Sequence, residues 1–191
     1  MAEDSTQAAD ASGPEYVVRR VTWRDIGAVS RAYRGQSPES RLFYHPFPFG
    51  SVRLGLLLAG FVVSKYFARR TIRLAPRESA QMMVARAQPG GELAGFGLVN
   101  FRWPAPGQLV ARTGLFVAEA HRRRGMGGRL EGELTGIARS LGARRAEALI
   151  REGNSGSIEM YRSLGYRVGP SPYRDRKPPF EPFLLAVKEL P

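Results

Sequence analysis

The chain has 191 residues, 43% of them hydrophobic, which is enough to bury one good core but short for two independent domains. Its 29 Lys and Arg against 17 Asp and Glu leave a formal charge of +12, which favours anionic partners such as phosphates, nucleic acid or acidic membrane surfaces. Cysteine is absent and only two histidines are present, so disulfides and Cys-zinc sites are excluded and no metal is predicted.

The N-terminal residues 1–14 are small, polar and acidic, without the basic and apolar regions of a secretory signal. They predict a disordered tail of a cytoplasmic protein, followed by a single domain over residues 15–191. The longest apolar run, Leu54 to Val63, has about half the length that a membrane-spanning helix needs, so no transmembrane segment is predicted.

The first predicted elements are a strand over 16–21 and a helix that ends near Tyr33. Thr22 and Asp25 have the spacing of a capping box between them. Residues 36–78 fit either a helix or a buried strand, and a helix is favoured. This segment is rich in aromatic residues, including Phe43, Tyr44, Phe47, Phe49 and Tyr66. Packing of a long second helix is the favoured interpretation of these aromatics, and a pocket for a substrate is the alternative.

The middle of the chain predicts a β-hairpin followed by a third strand. Strands over 81–87 and 92–101 flank the Gln-Pro-Gly-Gly turn at 88–91, and residues 108–117 form the next strand after a turn at 104–107. From Gly125 the apolar residues recur every three or four positions, which predicts a helix that Gly142 ends.

The last third continues with a strand over 146–150 and a helix capped by Asn154 or Ser155. Gly165 suits the left-handed position after this helix. Two further strand candidates lie on either side of a polar, proline-rich loop at 170–182.

A strand, a turn rich in Arg and Gly, and a helix start follow one another directly at residues 115–130. A helix start leaves several N–H groups without acceptors and adds partial positive charge, so this order is typical of a phosphate site. Gly125, Gly127 and Gly128 would leave room for close approach, while Arg122, Arg123 and Arg124 add charge. The alternative is a basic turn into an ordinary helix. Neither the P-loop nor the Rossmann spacing is present.

The same segment resembles the coenzyme-binding motif of the GNAT superfamily of acyl-CoA-dependent N-acyltransferases. Its pattern of Arg, two residues, Gly, one residue and Gly is matched by Arg122, Gly125 and Gly127. A second segment also resembles the family, in family order, through Asn154, Ser157, Tyr161, Leu164, Gly165 and Tyr166. Together the resemblance covers about residues 14–190.

The resemblance implies an α/β fold with a mixed, mostly antiparallel sheet of six to seven strands, helices on both faces and a splay between strands four and five. It implies transfer of an acetyl group from acetyl-CoA to a primary amine by direct attack, the acceptor being a small amine or a protein amine. The coenzyme-binding residues that it implies are Phe116, Val117, Arg122, Arg123, Arg124, Gly125, Met126, Gly127, Gly128, Asn154, Ser157 and Tyr161. Backbone groups of Phe116 and Val117 would bind the pantetheine arm.

Tyr161 is the implied general acid, which protonates the departing CoA thiolate; core packing is its alternative role. Many relatives carry a Glu on the fourth strand as general base, but residues 109–117 contain no acidic residue. Glu92, His45 and a chain of water molecules remain the candidates. Glu119 and His121 are interpreted as solvated turn residues without a chemical role.

Two other function classes stay open. The charge and the Arg-rich stretches would also suit a module that binds nucleic acid or another acidic partner, although aromatic residues are poorly interleaved there and nucleic acid is the less favoured partner. The missing strand-four Glu would suit a CoA-binding fold that has lost catalysis. The resemblance leaves room for a homodimer.

Overall fold

A computed structural model describes residues 15–37, 51–74, 80–174 and 182–191. The predicted tail at 1–14 and most of the aromatic stretch lie outside the described residues. In the described part, seven strands form one sheet in the order β1-β2-β3-β4-β5-β7-β6. Their bounds are Tyr16–Arg20, Gln81–Ala87, Leu93–Ala105, Gln108–Val117, Arg145–Arg151, Arg167–Arg174 and Pro182–Glu189 for β1 to β7.

Four α-helices of the described part cover the two faces of this sheet. They are α1 (Ile26–Arg34), α2 (Ser51–Leu74), α3 (Met126–Ser140) and α4 (Ser155–Ser163). One core packs α1 and α2 against β2 and β3, and the larger core packs α3 and α4 against the opposite face. A three-layer α/β architecture results, because each helix buries its apolar side against the sheet.

The sheet is antiparallel except at its centre, where β4 and β5 run parallel. Their pairing lasts only from Val110↔Arg145 to Thr113↔Ala148. Beyond Thr113 the two strands are no longer paired, although both continue for three or four residues. The predicted mixed sheet with a splay between the fourth and fifth strands is therefore confirmed.

Several local predictions are also confirmed. Thr22 and Asp25 form the capping box, at the start of a 3₁₀ turn that leads into α1. Gly142 and Gly165 have φ values of 92° and 82°, the left-handed conformation that lets the chain leave a helix without steric cost. Residues 51–74 are a helix as favoured, and no helix of the described chain is long and apolar enough to cross a membrane.

Other predictions need correction. β6 extends to Arg174, five residues into the predicted loop, because residues 167–170 pair in register with β7 and Arg174 pairs with Pro182. Tyr66 was expected to pack in the core, but it is 73% exposed on the outer side of α2. The other aromatics of this segment, Phe43, Tyr44, Phe47 and Phe49, lie outside the described residues.

A buried carboxylate fastens the first strand and helix to the sheet. Asp25 has no exposed surface and accepts hydrogen bonds from the Thr22 N–H (2.8 Å), from both terminal nitrogens of Arg19 (2.6 and 2.9 Å) and from Arg86 on β2 (2.8 and 3.0 Å). Burial alone would raise the pKa of this carboxyl, but the bonds from Arg19, Thr22 and Arg86 outweigh it and hold the pKa below its ordinary value.

Candidate active site

The turn before α3 leaves several backbone N–H groups outside the helical ladder. Arg123 and Gly125 both have positive φ, 60° and 73°, so the chain curls tightly into the helix start. The first helical hydrogen bond at this end is donated by the Arg129 N–H to the Gly125 carbonyl (3.1 Å). The N–H groups of Met126, Gly127 and Gly128 consequently precede the helical ladder, and Arg122, Arg123 and Arg124 are exposed around them. This arrangement has the geometry and charge of an anion site.

Gly127 lets α4 pack closely against the start of α3. A Cβ atom added there would come within 2.5 Å of the Met160 Sδ on α4 and would lie 3.9 Å from Leu115 on β4. The Met126 side chain is 2% exposed and belongs to the core, so only its backbone can take part in binding. The absence of a side chain at Gly127 therefore holds the helix start close to α4 and β4.

The splay continues from the helix start along β4. The Ala118 N–H bonds the Ala94 carbonyl of β3 (2.9 Å), so the twofold repeat of a strand turns the backbone of Phe116 toward β3 as well. The N–H and C=O groups of Leu115 and Val117 face the opposite side, where β5 has diverged. The prediction for the backbone of Phe116 is thus wrong, and the gap-facing role belongs to Leu115 with Val117. The Phe116 ring instead packs on Phe96, 4.9 Å between centroids.

A cavity of about 60 Å³ lies within the splay. Its walls come from three elements, namely the diverging ends of β4 and β5 and the start of α4. The lining residues are Thr113, Gly114, Leu115, Leu149, Ile150, Arg151, Asn154, Ser157 and Tyr161. This volume is far below that of a pocket for a whole drug-sized ligand, so the gap suits one extended chain passing between the strands.

Three predicted site residues meet at this cavity. The Asn154 side chain caps α4 by accepting the Ser157 N–H (3.1 Å), which confirms the cap, and both residues line the cavity. Tyr161 lies two turns further along the helix and is 4% exposed. Its ring packs edge-on against Tyr166, with centroids 5.0 Å apart, while the residue still borders the cavity. Packing and a position at the cleft therefore coexist for Tyr161.

Sequence reasoning missed a buried carboxyl directly behind this wall. Glu131 on α3 is 2% exposed and accepts hydrogen bonds from the Thr113 hydroxyl (3.0 Å) and from the Tyr166 hydroxyl. Burial raises the pKa of Glu131 to about 7, against the lowering effect of these hydroxyls, of Lys188 and of Tyr161. The available signal was its helical spacing, since Glu131 lies three residues before Leu134 on the buried side of α3.

Glu92, the base candidate within the described residues, does not line the cavity. The Glu92 side chain is 72% exposed at the β2–β3 turn, and its Oε2 lies 3.7 Å from the His121 Nε2. His121 was expected to be solvated, but it is 6% exposed, because its Nδ1 pairs with the Tyr16 hydroxyl (3.1 Å) and its ring packs edge-on against Tyr16. His45 lies outside the described residues. Across the described ranges, no group of three or more acidic or His side chains could hold a metal ion.

A splayed parallel strand pair, a helix start with N–H groups outside the helical ladder and a tyrosine on the cavity wall suit an enzyme that transfers acyl groups. The model of the acetyltransferase (GNAT) family matches residues 56–166, which is more than half of the chain, and the protein belongs to this family. It is therefore an acetyltransferase. No curated protein matches the chain in sequence.

Solved structures with the same fold include three acetyltransferases. They are yncA, a putative acetyltransferase from Salmonella typhimurium with its cofactor acetyl-CoA (20% identity, TM-score 0.66, 92% of this chain and 94% of that one); a phosphinothricin acetyltransferase from Sinorhizobium meliloti in complex with acetyl-CoA (18%, 0.66, 92% and 88%); and the ribosomal-protein-S5-alanine acetyltransferase from Vibrio fischeri (13%, 0.70, 91% and 92%). At these identities the likeness establishes the fold.

Proposed function

We propose that the protein transfers the acetyl group of acetyl-CoA to a primary amine, by direct attack of the neutral amine on the thioester. The observation that supports this most strongly is the closeness of two features. The helix start with its three arginines adjoins Leu115 through Gly127, and Leu115 lines the narrow cavity in the splay, together with Tyr161. Two structural neighbours contain acetyl-CoA. A coenzyme with a charged pyrophosphate and a long thin arm matches both parts of this site.

The residues present fit this coenzyme. The N–H groups of Met126, Gly127 and Gly128, with the arginines 122–124, would hold the pyrophosphate. The gap-facing backbone of Leu115 and Val117, together with Asn154 and Ser157, would hold the pantetheine arm, whose amides need donors and acceptors. The carbonyl of Val117 accepts a hydrogen bond from the Arg122 Nε (3.3 Å) and none from β3, so this edge of β4 can bond groups outside the sheet.

The reaction needs a neutral amine, a steadied oxyanion and a proton for the departing sulfur. The Val117 N–H faces the gap and would bond the developing oxyanion. Tyr161 would donate the proton to sulfur, since a phenol with an ordinary pKa near 10 is protonated at neutral pH. The described lining of the cavity contains no Asp or Glu, so the amine proton would leave through water. Because the chain contains no cysteine, an acyl-enzyme thioester cannot form, which agrees with direct attack by the amine.

We also propose a single domain, a cytoplasmic location and an amine acceptor. Residues 15–191 form a single domain, which the coverage of more than nine-tenths of the chain by the structural neighbours supports. A cytoplasmic location is compatible with a sequence that contains no cysteine for disulfides. The acceptor is a small amine or a protein amine, and a homodimer is left open.

The test is acetyl transfer to a panel of amines that contains a polyamine, free amino acids and peptides with a free N-terminus or a lysine. CoA release is followed with a thiol reagent. With the best acceptor, Tyr161→Phe should lower turnover by roughly ten- to ten-thousandfold at near-normal coenzyme affinity, because it removes only the hydroxyl.

Tyr16→Phe is the matched control, since it removes another buried hydroxyl, on β1 and away from the cavity. It should leave turnover within twofold. Equal turnover in Tyr161→Phe and the parent, with chemistry shown to limit the rate, would reduce Tyr161 to a packing residue. No transfer to any amine of the panel would count against the enzymatic proposal as a whole.

A further inference from the structure

The buried carboxyl of Glu131 has one oxygen fully engaged and one without a partner. Oε1 accepts the hydroxyls of Thr113 (3.0 Å) and Tyr166. Oε2 is buried and, within the described part of the chain, no hydrogen-bond partner reaches it. A buried polar atom without a hydrogen-bond partner destabilises the fold, so the unpaired Oε2 of Glu131 calls for an explanation.

Glu131 lies one side chain behind the cleft. Two residues that line the cavity, Thr113 and Tyr161, also lie near its carboxyl: Thr113 bonds it directly, and the Tyr161 ring packs edge-on against Tyr166, whose hydroxyl bonds it. Since Oε1 already accepts two bonds, Oε2 is the atom left to engage Tyr161, which it does not bond in this structure. The carboxyl thus lies behind the wall that carries the proposed proton donor, and it does not itself line the cavity.

The protonation state of Glu131 decides which way the Tyr161 proton points. An ionised carboxylate can only accept, so it would draw the Tyr161 proton toward itself and away from the cleft. A neutral carboxyl with its proton on Oε2 can donate to the Tyr161 oxygen. The hydroxyl of Tyr161 then keeps its own proton free to point into the cavity.

We propose that neutral Glu131 is a positioning residue, which donates a hydrogen bond to Tyr161 and directs the Tyr161 proton toward the departing sulfur. This rests on the role of Tyr161 in the proposed function. When the carbon–sulfur bond breaks, the Tyr161 proton forms the S–H bond, and the Glu131 proton moves to the tyrosine oxygen. The Glu131 carboxylate then takes up a proton from solvent, which balances the proton that the amine releases.

Charged and titratable neighbours of Glu131 come from α4, from the turn after it and from β7. They are Tyr161 on α4, Tyr166 after it and Lys188 on β7, whose Nζ donates to the Leu164 carbonyl (2.7 Å) and lies 5.6 Å from the Tyr166 ring centre. Burial and the nearby carboxyl raise the pKa of Tyr166, so it stays protonated. With a pKa of about 7, Glu131 is the group of this cluster that titrates near neutrality.

The experiment follows kcat/KM for the best amine of the panel against pH at saturating acetyl-CoA. For an alkylamine with a pKa near 10, the wild-type value should rise tenfold per pH unit up to about pH 7. Above that it should bend to a plateau, because the gain in neutral amine is offset by the loss of neutral Glu131. Glu131→Gln should remove the bend, because an amide does not titrate. It should also lower the rate below pH 7 by at least tenfold, because an amide can donate a hydrogen bond to Tyr161 but cannot pass a proton to it, while the KM for acetyl-CoA stays unchanged.

Two further variants separate this role from a structural one. Glu133→Gln makes the same change on the exposed side of α3 and should keep the bend. Thr113→Val removes a bond that favours the carboxylate, so the bend should move to higher pH. A loss of packing would lower the rate at every pH and would not shift the bend.

The outcomes distinguish the two proposals. If Tyr161→Phe is impaired but the bend persists in Glu131→Gln, the role of Glu131 is overturned and that of Tyr161 stands. If Tyr161→Phe has normal turnover, the role of Tyr161 fails first. An infrared carboxylic acid band at pH 6, present in wild type and lost in Glu131→Gln, is expected independently of turnover; no such difference would show that Glu131 is ionised and would overturn the inference.

Discussion

Replacing Glu131 by Gln should change the pH dependence of folding stability with a sign and size that the structure fixes. The native carboxyl has a pKa of about 7 against an ordinary value of 4.5, and it is almost completely buried. Between these two values the unfolded chain releases the proton and the native protein retains it. Stability therefore falls as the pH rises from about 4.5 to about 7, and is level on either side.

The difference between the two pKa values corresponds to a change of about 3 kcal/mol in the free energy of unfolding, at about 1.4 kcal/mol per pH unit. Gln cannot ionise, so the free energy of unfolding of Glu131→Gln should gain about 3 kcal/mol relative to wild type between pH 4 and pH 8. Urea denaturation at several pH values measures this difference, in which the contributions of Asp25 and of the other unchanged carboxyls cancel. A difference between the two proteins that stays constant with pH would refute a neutral Glu131 in the native state.

Two further predictions test the anion site and the buried ion pairs. Acetyl-CoA should raise the melting temperature of wild type. Gly127→Val should abolish this shift, because the new side chain meets Met160 at the start of α3, whereas Gly136→Val, which lies in open space on the same helix, should keep it. An undiminished shift in Gly127→Val would place the pyrophosphate elsewhere. Asp25→Asn should cost about 2 kcal/mol at pH 7 in urea denaturation, since Arg19 and Arg86 lose their charge partner and are themselves only partly exposed. Because the Asp25 pKa is lowered, this cost should shrink as the pH falls below about 4, and a cost that grows instead would contradict the assignment.

Local features of the fold were predictable because they depend on neighbouring residues alone. The left-handed turns at Gly142 and Gly165, the Asn154 cap and the Thr22 capping box each need only a few consecutive residues. The strand, the glycine turn and the helix start of the candidate anion site could be predicted for the same reason, since they follow one another in the sequence.

Features that depend on register or on distant contacts could not be predicted. Whether Phe116 or Leu115 faces the gap depends on how β4 pairs with β3, and a shift of one residue exchanges them. His121 looks like a turn residue until β1 brings Tyr16 beside it, 105 positions away. Glu131 has the charge of a surface residue, and only the meeting of α3, β4 and Tyr166 makes it a core residue.

The brief ladder between β4 and β5 also bears on how cooperatively the molecule opens. Four residue pairs join a four-strand antiparallel half to a three-strand half, so the seam is the thinnest hydrogen-bonded connection across the sheet. Cooperative units of opening tend to follow such boundaries, and the two halves are therefore expected to behave as separate foldons in the free protein. A ligand that lies along the gap contacts both halves and couples them into one cooperative unit, so its binding should also suppress local opening across the whole sheet.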